Sequence, residues 1–110
     1  MTMTKGEPLV VFVTAASMEE AESLASALLE ARAAACVSIL PGVESRFWWE
    51  GRIERAQEVL LVIKTLREAY PTLERTVTAC HSYQVPEILA LPVVQGHLPY
   101  LSWIMDSVER

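Results

Sequence analysis

Cys80 and His81 stand side by side in the stretch TACHSYQVPE, Thr78 to Glu87, and both are soft metal ligands. Thiolate and imidazole together suit copper or zinc better than magnesium or calcium. Zinc commonly takes four donors, and the chain has neither a CxxC nor an HxxxH spacing. Further donors must therefore come from distant sequence or from another subunit. On an α-helix His81 is rotated by about 100° from Cys80, so the two converge only where the helix has already unwound. Cys80 also falls in phase with Leu73 and Val77, where a free thiol behaves as a small hydrophobe pointing to the core. A histidine in the last turn favours the helix dipole. A ligand pair and a plain helix end both fit these residues.

Other side chains have chemistry to offer. Tyr83 and Glu87 flank the segment QVP, where the ring could stack and the carboxylate could hold a cation or a neighbouring backbone. Glu58 and Lys64 border the apolar run Val59 to Ile63, and Lys64 is one of only two lysines in the chain. Cys36 lies in the apolar segment AACVSIL and is expected in the core. Phe47, Trp48 and Trp49 read as subunit packing, with strand alternation sending Trp48 to the face opposite its neighbours.

These residues need elements to position them. PLVVFVTA, Pro8 to Ala15, reads as a buried strand. Ser17 caps the following helix, and Glu20 three residues on completes a capping box. Ala34 to Leu40 forms a second strand, which Pro41-Gly42 should bulge without ending the sheet. VESRFWW continues it to a tight turn at Glu50-Gly51, and Arg52 to Thr65 returns. Both arms look about twice the usual 5–6 residues, so the polar half Arg52 to Glu58 is expected to reach past the domain. A second helix is expected from about Glu68 to Cys80, with Pro71 in its first turn. Pro86 to Val94 makes a fourth strand, confined by Pro92 to an edge or bulge. LPYLSWIMDSVE reads as a terminal helix with Tyr100, Trp103 and Ile104 on one side.

The composition narrows the class. With 110 residues, 52% hydrophobic and 21% charged, residues 1–110 make one globular domain. The net charge of −5 argues against nucleic acid as a partner. Two cysteines without a disulfide framework suggest free thiols in a reducing compartment. No apolar run approaches the roughly 20 residues of a membrane span. MTMTKGEP carries no apolar signal core, so the cytoplasm is expected.

The order βαββαβ plus a terminal helix gives an α+β fold, the ferredoxin-like sandwich with an extended hairpin arm. Its two main helices cover one sheet face. Val10 to Val13 and Val59 to Ile63 are apolar at both parities, which leaves the other face as a large apolar patch. The chain is expected to associate with itself.

The segments LEARAAACVSILPGVESRFWWEG, EVLLVIKT, HSYQVPEILALPV and YLSW, in that order and spacing, resemble the CutA divalent-cation tolerance family over about Val10 to Trp103. The resemblance implies a tight homotrimer of the ferredoxin-like fold. It implies a non-enzymatic role in metal tolerance, with copper binding proposed for some members and no organic cofactor. The architecture is similar to that of PII signalling proteins. The family's His-Pro-Tyr falls on His81, Ser82 and Tyr83, with Ser in place of Pro. Its Ala-Ala-Cys-Val falls on Ala34 to Val37, which puts the family's frequent Cys at Cys36. A Cys that some members carry in the first strand is Val13 here, and a second His before His-Pro-Tyr is Cys80. The resemblance thus implies copper or zinc at His81 and Cys80. It also implies an inter-subunit cleft holding Glu58 and Lys64, to which Cys36, Tyr83 and Glu87 are further candidates.

Other functions on this fold are disfavoured. An acylphosphatase needs a phosphate-cradling loop and an Arg after the first strand, whereas TAASMEE has neither and Glu19 and Glu20 would repel phosphate. An RNA-binding sheet needs exposed aromatics on its central strands and basic rims, and here Phe12 stands alone. A PII-like sensor of a small ligand and a trimeric module acting through a protein partner remain the alternatives.

Overall fold

The β-branched and apolar run Pro8–Ala15 forms strand β1, the centre of the sheet. These coordinates come from a computed structural model that describes residues 6–108; the reading of the N-terminus at residues 1–5 lies outside them. Helix α1, Met18–Glu30, starts at Ser17, whose hydroxyl accepts the Glu20 N–H at 3.1 Å. Glu20 Oε1 in return accepts the N–H of Ala16 at 2.9 Å, closing the capping box one residue further back. Strands β2, Cys36–Trp49, and β3, Arg52–Leu66, form the long hairpin. Its turn places Glu50 and Gly51 at φ 52° and 80°, the left-handed pair that a two-residue hairpin requires. A short 3₁₀ turn, Arg67–Ala69, leads into α2, Tyr70–Cys80, so Glu68 precedes the α-helix and Pro71 sits in its first turn. Strand β4, Ile88–Pro92, and helix α3, Leu98–Ser107, complete the chain.

The sheet order is β2-β3-β1-β4 with every neighbour antiparallel, which is the expected βαββαβ sandwich. Pro92 ends an edge strand, where its missing N–H is harmless. The hairpin stretches the molecule to 48 × 25 × 22 Å.

Strand alternation divides the sheet into two unlike faces. Leu9, Val11, Val13 and Ala15 on β1 and Val59, Leu61 and Ile63 on β3 turn to the helices and are buried with Leu24, Leu28, Leu73 and Val77. Val10 and Phe12 turn the other way, beside Leu60 and Val62 on β3 and Leu89 and Leu91 on β4. Among the described residues neither α1 nor α2 covers this second face; α3 packs on Leu66 at one end of it, and Leu89 remains 58% exposed.

The bulge at Pro41-Gly42 changes which β2 residues share that open face. Before it, Ser38 and Leu40 oppose Val62 and Leu60; after it, Val43, Ser45 and Phe47 oppose Glu58, Ala56 and Glu54. One extra residue therefore moves β2 from even to odd positions while β3 keeps its parity. Phe47 and Trp49 consequently continue the apolar open face into the arm. Trp48 pairs with Ile53 on the reverse side, as alternation requires, and is 72% exposed.

A second, smaller core joins Leu66 and Ala69 to Ile104 and Val108 and anchors α3. Only Ile104 of the three expected α3 residues is buried. Tyr100 and Trp103 instead face outward against one another, with ring centroids 5.5 Å apart.

Candidate functional site

Where the arm leaves the domain, the inner side of the hairpin and the segment 82–87 border an open cleft of about 940 Å³. Ser45, Phe47 and Trp49 on β2 and Ala56 and Glu58 on β3 form one wall. Tyr83 to Glu87 form the other, and Thr14 at the end of β1 also borders it. The bulge decides this wall, because without it Phe47 and Trp49 would point away from the cavity.

Glu58 is the buried carboxyl group among the described residues here, with 8% of its surface exposed. Its Oε2 accepts the Tyr83 hydroxyl at 2.7 Å. Burial first, and then the bond and charge of Glu58, raise the Tyr83 hydroxyl well above its ordinary pKa. Glu87, at the end of the same segment, is also raised, by burial and then by repulsion from Glu58. Glu54, Glu58 and Glu87 and the two arginines Arg46 and Arg55 thus line the cleft together with Phe47, Trp49 and Tyr83.

His81 lies behind this pocket. It caps α2 with an extended backbone, φ −84° and ψ 144°, so its ring turns inward and the side chain is 0% exposed. Nδ1 accepts the Tyr83 N–H at 3.0 Å, which leaves the proton on Nε2 to be donated to the Thr14 carbonyl at 2.7 Å. The His81 and Tyr83 rings lie 4.7 Å apart. Glu20 closes the arrangement, with Oε2 accepting the Ser82 N–H at 2.6 Å and lying 3.7 Å from His81 Nδ1. Burial would raise the Glu20 carboxyl, but the Ala16 and Ser82 N–H groups outweigh it and hold it below its ordinary value.

This geometry does not fit copper or zinc on His81 within one subunit. Both ring nitrogens are engaged in hydrogen bonds, and among the described residues no three His, Cys, Asp or Glu side chains converge. Cys80 does not join the core as expected; its side chain is exposed. The stripe Ala69, Leu73, Val77 advances by four residues, and the next step of four is His81, which takes the buried place.

The cleft candidates separate into two groups. Glu58, Tyr83 and Glu87 come together. Cys36 is only half-buried, contrary to the expected core position, and it lies opposite Lys64 at the far end of the open face. Lys64 Nζ donates to Ser38 Oγ at 3.3 Å, and it lies six positions along β3 from Glu58, roughly 20 Å. Thr14, Ser45 and Glu20 were not singled out from the sequence as site residues. Only Glu20 left a trace there, as the third residue of a capping box.

The model of the CutA1 divalent ion tolerance protein family matches residues 9–107. The chain is 46% identical over 98 residues to the divalent-cation tolerance protein CutA of Thermus thermophilus, covering 89% of this chain and 95% of that protein. It is 42% identical over 109 residues to the chloroplastic protein CutA 1 of rice, covering 99% of this chain but 62% of the rice protein. The structure superposes on the Thermus thermophilus Cut A1 structure with a TM-score of 0.91 at 44% identity, over 93% of this chain and 99% of that one. On rice CutA1 it superposes with a TM-score of 0.92 at 41% identity, over 97% and 98%.

Proposed function

The chain belongs to the CutA1 divalent ion tolerance family, and from that premise we propose that it is a non-enzymatic homotrimer acting in cation tolerance through clefts at the bases of its hairpin arms. The open sheet face carries this reading. Val10, Phe12, Leu60, Val62, Leu89 and Leu91 lie side by side on it, away from α1 and α2, the kind of apolar patch that marks an association surface. Self-association removes it from solvent, and the number three follows the family resemblance. The cavity beside Glu58 and Tyr83 favours a PII-like sensor of a small ligand over a pure assembly module.

In this reading His81 is an internal brace and not the metal ligand. It ties the segment carrying Tyr83 to β1 and leaves no lone pair free for a metal. The test is an anaerobic titration of reduced protein with Zn²⁺ and with Cu(I), with oligomer mass followed throughout. Wild type and His81→Ala are expected to bind either metal alike as trimers. Weaker binding by His81→Ala at unchanged trimer mass would return His81 to the ligand set.

A further inference from the structure

The Glu58 carboxylate is an unusual group to bury without a counter-charge. Taking a charge from water is expensive unless an opposite charge or several hydrogen bonds replace the solvent. Glu58 receives the Tyr83 hydroxyl, but among the described residues no basic group lies within ion-pair distance of Glu58 or Glu87. Arg46 and Arg55 border the cavity, yet both direct their guanidinium groups to Glu44. Lys64 is roughly 20 Å along the same strand. The raised Glu87 carboxyl shows the same imbalance from the other side, since burial and Glu58 both disfavour its charge.

The walls around these carboxylates are aromatic. Phe47 and Trp49 rise from the arm, and Tyr83 stands opposite in the 82–87 segment. Aromatic faces attract cations that have shed part of their water, and they pack against alkyl chains. A hydrated divalent ion makes poor use of such walls, because hard cations take oxygen ligands and keep their water. An anion is repelled by two carboxylates.

We propose that the cleft binds an alkylammonium or alkylguanidinium group, with the cationic head on Glu58 and Glu87 and the stem between Phe47, Trp49 and Tyr83. This rests on the cleft reading above and specifies its ligand. The head group has two sources, a free small organic cation or a side chain of a neighbouring copy. The chemistry at Glu58 is the same for both.

Butylguanidinium serves as the probe, titrated into the full chain by calorimetry and followed by tryptophan fluorescence. Glu58→Gln keeps the side chain's shape but removes its charge, and Glu87→Gln alters a more open position. Circular dichroism melts establish that each variant is folded. For a free ligand, wild type binds one probe per subunit. Glu58→Gln then loses about tenfold or more in affinity, as expected for a charged hydrogen bond, and Glu87→Gln loses less. For a neighbouring side chain, wild type refuses the probe and Glu58→Gln dissociates into subunits at concentrations where wild type stays assembled. The proposal is overturned if Glu58→Gln matches wild type in both probe binding and assembly. It is also overturned if Zn²⁺ or Mg²⁺ takes the cleft in a Glu58-dependent way and excludes the probe. A monomeric wild type that still binds butylguanidinium would instead refute the homotrimer while sustaining the cleft, because every wall residue comes from one chain.

Discussion

The two faces of the central sheet are made by alternate residues of the same strands, yet they have opposite fates. Val11, Val13, Leu61 and Ile63 meet α1 and α2 and are fully buried. Val10, Phe12, Leu60 and Val62, their immediate neighbours in sequence, are equally apolar but only half-buried. One face is completed by α1 and α2, and the other is the surface that the proposed self-association would cover. Hydrophobicity alone does not mark a core. What matters is whether the topology supplies a cover, and βαββαβ supplies one for a single face.

Substitutions that treat the faces differently should separate folding from assembly. The largest effect is expected from Leu61→Ala on the helix face, which removes a fully buried side chain. It should lower stability by about 2–5 kcal/mol in urea unfolding at fixed protein concentration. Phe12→Asp on the open face should leave the circular dichroism of the folded subunit intact while dispersing the oligomer, as seen by sedimentation. Equal loss of structure in both variants would erase the distinction between the faces.

Effects at the arm base should be smaller. His81→Ala leaves the Thr14 carbonyl and the Tyr83 N–H without partners, and is expected to cost about 1–3 kcal/mol in thermal unfolding. Glu20 has a depressed folded pKa, so its contribution is present above the ordinary carboxyl range and is lost as pH falls through the lowered value. Glu20→Gln should therefore flatten the acid side of the stability profile. Cys80→Ser should change stability by no more than about 0.5 kcal/mol, because the side chain is a free thiol exposed to solvent.

Much of this architecture is legible in local pattern. The apolar run of β1, the Ser17–Glu20 capping box, the Glu50-Gly51 turn and the opposed facing of Trp48 all follow from neighbours a few residues apart. The arm base is not. His81 meets Thr14 across 67 residues of sequence, and Ser82 meets Glu20 across 62. No periodicity encodes such pairs. Cys80 and His81 show how fine the margin is, since a stripe advancing by three would bury the cysteine and one advancing by four buries the histidine. Cys36, Lys64 and Glu58 could be assigned to one cleft from the family resemblance. Within one chain the register sets Lys64 opposite Cys36 and Glu58 opposite Val43, so they share a cleft only where two subunits meet.

The open face is the centre of this account, and its subunit count is the direct test. Native mass spectrometry of wild type and Phe12→Asp at micromolar concentration would measure it. Wild type is expected at three times the chain mass and Phe12→Asp as a folded single chain. A wild type that flies as a single chain, or a Phe12→Asp protein that keeps the full assembly, would contradict it.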